Sequence, residues 1–267
     1  TKSVSQDLLH IHNNDSIIYT QQVSSIDSLK LRQSTSSVYS GNNLYELPIA
    51  DIDSITFAVQ RDSEIYIIYN ESEVTVINPF EAAGVTITNS AGHVTVNSSY
   101  PSAGLAYHIS GITADGSLDL SSTEQVKLIL YGVNITNTTG AAISINNQTN
   151  CAIVLASGTE STLNDAVTSV ANGAFYSTGD VTISGEGTLK INGYKKHGIA
   201  TDGAFDIISG IIEILNAASD GIHADSYHQA GGSLQIVPLG DGIDVSKMIT
   251  IEAGTLMINA ASKDIKG

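Results

Sequence analysis

Four triplets, His197-Gly198-Ile199, Asp220-Gly221-Ile222, Asp241-Gly242-Ile243 and Lys263-Asp264-Ile265, set their isoleucines 23, 21 and 22 residues apart. A fixed period in this range means that one structural unit stacks on the next. Each unit reads as a short strand, a turn, a second strand ending in Ser-Gly or Gly-Gly, and a third alternating strand. It closes on a turn such as Asn216-Ala217-Ala218-Ser219 or Asn259-Ala260-Ala261-Ser262. Phe175 lies 24 residues before Ile199 and continues the series, while Ile143 lies 32 before Phe175 because 161–172 is inserted as a short helix or a long loop. The repeat covers roughly 115–267.

Three strands and three turns in about 22 residues match one circuit of a triangular solenoid. Alternation in runs such as Val94-Thr95-Val96 and Val181-Thr182-Ile183 is strand chemistry. Regular Asn-Gly hairpin spacing is missing, which disfavours an antiparallel sandwich. A Leu-x-x-Leu-x-Leu frame is missing too, which disfavours a leucine-rich repeat. The expected fold is all-β, a right-handed parallel β-helix of about 22 residues and three strands per coil. Ile143, Phe175, Ile199, Ile222, Ile243 and Ile265 should form one inward ladder, and Ile183 and Ile207 belong to the next.

Residues 1–58 follow another rule. They carry a doublet, Ser25-Ile26-Asp27-Ser28-Leu29-Lys30-Leu31 and Asp51-Ile52-Asp53-Ser54-Ile55-Thr56-Phe57, whose Ile-Asp-Ser cores lie 26 residues apart. This predicts a small N-terminal β module, joined at 58–62 to a β-helix over 59–267. Because the first coil of a solenoid exposes unpaired strand edges, the module is expected to cover it.

Composition narrows the function. The 267 residues hold 27 Asp and Glu against 11 Lys and Arg, a formal charge of −16 that would repel a polyphosphate backbone, so nucleic acid is not an expected partner. Residues 1–10 lack the charged and apolar regions of a secretion signal, and no stretch approaches the roughly 18–20 apolar residues of a membrane span. One cysteine, Cys151, cannot form an internal disulfide or a thiolate cluster.

Stacked strands lie about 4.8 Å apart, which makes Asp220 and Asp241 vertical neighbours and pairs Asp202 with Asp225. Two bare carboxylates at that distance repel by about 3–4 kcal/mol at an effective dielectric near 20. Calcium, with oxygen ligands at about 2.3–2.6 Å, can bridge them, and Asp244 is a further candidate ligand. The other reading is that Asp before Gly only shapes a turn by accepting nearby amides. A sugar surface is suggested by Tyr194, Lys195, Lys196 and His197 in one turn and by His223, Tyr227 and His228 in the next coil. Lysines would meet a uronate carboxylate and tyrosine faces its ring, whereas Lys195 and Lys196 as plain solubilising residues remain the alternative. With no Trp in the chain, a platform for crystalline cellulose is disfavoured.

The ordered series Leu128-Ile129-Leu130-Tyr131-Gly132-Val133-Asn134-Ile135-Thr136, Gly140-Ala141-Ala142-Ile143, the GTESTL run at 158–163, the TGDVTISGEGTL run at 178–189 and Asp220-Gly221-Ile222 resembles the bacterial carbohydrate-binding β-helix family. That family includes a cellulose- and pectin-binding surface protein and is related in fold to calcium-dependent pectate lyases. The resemblance spans about 60–267. It implies binding of an acidic or β-linked plant polysaccharide, with calcium and without turnover. The first 58 residues resemble modules behind the anchored cysteine of surface lipoproteins, which implies a bacterial outer-surface location and a lipid anchor on a removed N-terminus. His197 and Lys263 stand where an unbroken acidic column would continue, so any calcium column is short. Two other functions stay open: a calcium-dependent lyase using Lys195 or Lys196 as base, and a structural adhesin without a glycan ligand.

Overall fold

The computed structural model describes residues 7–13, 16–23, 26–40, 43–59, 64–101, 103–147 and 149–267. From residue 65 onward the chain winds as a parallel β-helix with three faces. On the first face the strands His93–Ser98, Ser117–Ser122, Ile143–Asn146, Gly173–Ser177 and His197–Thr201 stack in parallel. The opening residues of Ile222–Gln229 and Ile243–Ile251, then Ile265–Lys266, complete the stack. Its inward ladder runs Val94, Leu118, Ile143, Phe175, Ile199, Ile222, Ile243, Ile265, each residue registered on the next. The 22-residue period is therefore a stacking period, as the sequence predicts.

The second face carries the column Leu105, Val126, Cys151, Val181, Phe205, Tyr227, Ile249, and the third carries Ile135, Leu163, Ile191, Ile214, Ile236, Ile258. Most of these side chains are removed from solvent and belong to one continuous core. Each fully buried aliphatic or aromatic chain contributes about 1.5–3 kcal/mol. No α-helix occurs among the described residues. Ser161 to Asn164, expected inside a helix or loop, belong to the third-face strand Glu160–Asn164, because Ser161 and Leu163 alternate inward onto Leu189 and Ile191. Only 165–172 forms the extended loop.

The described N-terminal residues make two three-stranded antiparallel sheets. One is built from Asp7–Asn13, Ser16–Gln22 and Ser54–Val59, the other from Ser28–Leu31, Thr35–Ser40 and Asn43–Pro48. Each Ile-Asp-Ser motif leads into a strand, its Asp donating a backbone N–H to a neighbouring strand: Asp27 to the Tyr39 carbonyl at 2.7 Å, Asp53 to that of His12 at 2.8 Å. Leu9, Ile11, Tyr19 and Val38 form a separate small core. Residues 1–6, Asn14, Ser25 and positions 60–62 of the expected joint lie outside the described residues.

The capping role belongs to other residues than expected. The open edges of the first coil are paired by Glu73–Ile77 on Ile65–Asn70 and by Val85–Ser90 on His93–Ser98, both antiparallel. Tight turns at Glu71 and Ala91, with φ 55° and 50°, allow this return. The N-terminal strand Ser16–Gln22 lies instead along the flank, against Leu105–Thr113 and Val126–Thr136. A nearby hairpin satisfies a strand edge with little loop-closure entropy, so the chain adjacent to the coil takes that place.

Candidate functional site

The turn at 194–196 carries the chain from the third face to the first, and the 165–172 loop above it holds it in place. Asp165, buried, accepts the N–H of Tyr194 at 2.6 Å and of Lys195 at 3.3 Å through Oδ1. Burial raises the Asp165 carboxyl pKa, and these amides work against that shift. Asn172 receives the His197 N–H on its carbonyl at 3.1 Å and the Lys196 ammonium on its side-chain oxygen at 3.2 Å. The segment that breaks the period thus braces the turn, leaving Tyr194 43% exposed.

Below the turn, the residues two before each ladder isoleucine stack as His197, Asp220, Asp241, Lys263. The Asp220 N–H approaches His197 Nδ1 at 3.4 Å, Asp220 Oδ1 accepts the Asp241 N–H at 2.8 Å, and Asp241 Oδ1 accepts the Lys263 N–H at 3.0 Å. One oxygen of each aspartate is therefore spent on the turn, as the turn reading expects. The residues one after each isoleucine form a parallel column, His223, Asp244, Lys266. Donor atoms of Asp220, Asp241 and Asp244 lie within 4.8 Å of one another, and so do those of His197, Asp220 and His223. Lys266 enters this acidic group, with Nζ 2.9 Å from Asp244 and 3.9 Å from Asp241, and Asp244 first of all raises its pKa. The sequence reading missed Lys266, although its offset from Ile265 equals that of Asp244 from Ile243.

Other expected members lie elsewhere. Asp202 accepts the Tyr176 hydroxyl at 2.7 Å, while Asp225 accepts Ser246 at 2.9 Å and Lys247 at 2.7 Å. Each is held by a neighbouring coil, and neither joins a group of three ligand-type residues among the described residues. Tyr227 faces inward, 1% exposed, beneath Phe205 with ring centroids 6.4 Å apart, and donates its hydroxyl to Gln229 at 2.8 Å. It offers no ring to a sugar. The period contains the reason, since Tyr227 follows the inward Phe205 by 22 residues. His228 points outward on the second face, between Asp206 at 3.3 Å and Glu252 at 3.4 Å, away from the His223 column.

His197 is 3% exposed and its ring stacks on half-exposed His223, centroids 4.7 Å apart and planes at 13°. Burial, only partly offset by Asp220, lowers its pKa from 6.5 to about 4. A histidine depressed in the folded state costs stability as pH falls below its unfolded value. The loss accumulates from pH 6.5 down to the folded pKa near 4, and reaches about 2 kcal/mol between pH 7 and pH 5. His197→Gln should flatten this acid limb in urea midpoints measured across that range. His10, also lowered to about 4 mainly by burial, leaves a residual slope in both proteins. An identical slope in the variant would remove the assignment.

Fold and columns together define a parallel β-helix with a mixed acidic and cationic edge running down one corner. The family of carbohydrate-binding domain-containing proteins matches residues 82–267, and the chain belongs to that family. A carbohydrate-binding domain-containing protein of Acetivibrio thermocellus is 33% identical over 199 residues, covering 60% of this chain and 70% of that protein. A solved structure described as a polysaccharide lyase-like protein from C. thermocellum, in a gadolinium derivative, superposes with TM-score 0.67 at 26% identity. The match covers 76% of this chain and 94% of that one. No helix among the described residues is long and apolar enough to cross a membrane.

Proposed function

We propose that this protein binds an acidic polysaccharide of the polygalacturonate type at the corner formed by Tyr194, Lys195, Lys196 and His223, with calcium completing the contact over Asp220, Asp241 and Asp244. The observation that carries the reading is the braced turn beside a carboxylate group. On a chain of charge −16, this corner gathers Lys195, Lys196, Lys263 and Lys266. Charge-assisted contacts from lysine to a uronate carboxylate contribute about 1.5–3 kcal/mol each, and the exposed Tyr194 ring offers an apolar face to a pyranose. Family membership and the polysaccharide lyase-like neighbour support polysaccharide as the ligand class.

The residues fit calcium in a limited way. Asp220 Oδ2 also meets the Ser219 hydroxyl at 3.3 Å and Asp241 also takes the Ser262 hydroxyl, so an ion would compete with both. Asp244 adds to these carboxylates, whereas the ion takes 6–8 oxygens in total. Sugar carboxylate, sugar hydroxyls and water would supply the remainder. Lys266 already neutralises part of the group and must swing aside, so the reading expects weak binding of calcium alone.

Retention on immobilised polygalacturonate tests this. We expect retention in calcium, its loss in chelator, and its loss in Asp220→Asn/Asp241→Asn, a pair that keeps the amide acceptors and removes the charge. Lys195→Ala/Lys196→Ala should weaken retention at least about tenfold. Full retention in chelator would remove calcium from the account, and full retention by the lysine variant would move the site. Release of unsaturated uronate products would show a lyase instead.

A further inference from the structure

At the upper end of the same corner, two nitrogen donors meet one carboxylate. His197 Nδ1 lies 3.3 Å from Asp220 Oδ2 and 3.4 Å from the Asp220 amide nitrogen. Both contacts are long for hydrogen bonds, whose donor–acceptor distance centres near 2.9 Å. By contrast, two ligands on a tetrahedral zinc, each at about 2.0–2.1 Å, stand roughly 3.3–3.4 Å apart. A ring nitrogen of His223 lies within 4.8 Å of both; the half-exposed His223 ring, stacked on His197 at 13°, must rotate for its in-plane lone pair to meet the same ion. His223 Nδ1 is also 3.6 Å from Asp244 Oδ2. That carboxylate can orient the ring, as carboxylates behind metal-bound histidines commonly do.

We propose that His197, Asp220 and His223 form a site for one divalent ion of the zinc class, bound by two imidazoles and one carboxylate with its remaining position open to solvent. Imidazole donors select zinc, cobalt, nickel and copper over calcium and magnesium, which take oxygen. The ion would replace the stretched amide contact to His197 and join two successive coils at a corner where His197 is buried. The site needs no sugar, but it shares Asp220 with the calcium group and His223 with the glycan corner, so its test is made without glycan.

Co²⁺ is the probe, added to the whole chain and followed by its visible d–d absorption and by equilibrium dialysis. We expect one ion per chain with low-coordinate absorption, retained in excess Ca²⁺. His223→Ala, at an exposed position, should weaken it at least about tenfold, since even outer-shell losses at metal sites cost about 10–100-fold. His228→Ala, on another face, should leave it unchanged. In the unmodified protein, paramagnetic Co²⁺ should broaden the imidazole NMR signals of His197 and His223 and spare that of His228, a readout that does not depend on any variant folding. Binding that is unsaturable, displaced by calcium, equally sensitive to His228→Ala, or without broadening at His197 and His223 overturns the proposal.

Discussion

Gly221→Ala is expected to destabilise the solenoid by about 3 kcal/mol, the upper end of what overpacking generally costs, read as a fall in urea midpoint at constant slope. A Cβ at Gly221 would strike Ile236 Cγ2 and come within 2.6 Å of the Gly242 carbonyl oxygen. That same oxygen receives the Ile222 N–H at 3.0 Å, so it cannot retreat without opening the first-face ladder. The restriction recurs along the corner. Gly198 faces Ile214 and the Gly221 carbonyl, and Gly242 faces Ile258 and the Asp264 carbonyl. The glycine of the repeated triplet is thus a steric requirement, where the third face packs behind the turn into the first. A wild-type midpoint for Gly221→Ala would show that the coils are not packed this closely.

Tyr227→Ala should cost about 3–5 kcal/mol, as truncation of a buried aromatic generally does. It removes the ring under Phe205 and leaves Gln229, also fully buried, without its hydroxyl partner, although Gln229 keeps carbonyls of Gly231 and Thr255 as acceptors. Glycan retention by the fraction that stays folded should match the parent protein. Tyr194→Ala should do the reverse, shifting stability by no more than about 0.5 kcal/mol as exposed substitutions do while reducing retention. If Tyr227→Ala kept its stability and lost glycan, the inward placement of that ring would be wrong.

These two tyrosines show where sequence reasoning succeeds and where it stops. In sequence Tyr194 precedes one repeated triplet and Tyr227 follows the next, and aromatic residues beside Lys and His suggest a sugar surface in either case. Applying the period to Tyr227 as strictly as to the isoleucines would have aligned it with Phe205 and placed it inside. For the carboxylates no such rule was available. Asp202 and Asp225 keep the same offset from their isoleucines, as Asp220 and Asp241 do. The first pair is nevertheless claimed by Tyr176 and by Ser246 with Lys247, and the second meets Asp244 and Lys266. The 165–172 loop is similar: its length announces an interruption, but only the buried Asp165 and Asn172 contacts show that it braces the 194–196 turn.

What the amino-acid order alone determined was the β-helix, its 22-residue circuit, the inward isoleucine ladder and the existence of a distinct N-terminal module. Alternation and period are properties of neighbouring residues, and strand pleating converts them directly into inside and outside. Tertiary structure decided which carboxylates share a corner, that Lys266 stands among them, and that hairpins at 65–98 cover the first coil. Those outcomes depend on separations of a few ångströms between coils, and turn geometry sets such distances in ways that residue spacing does not encode.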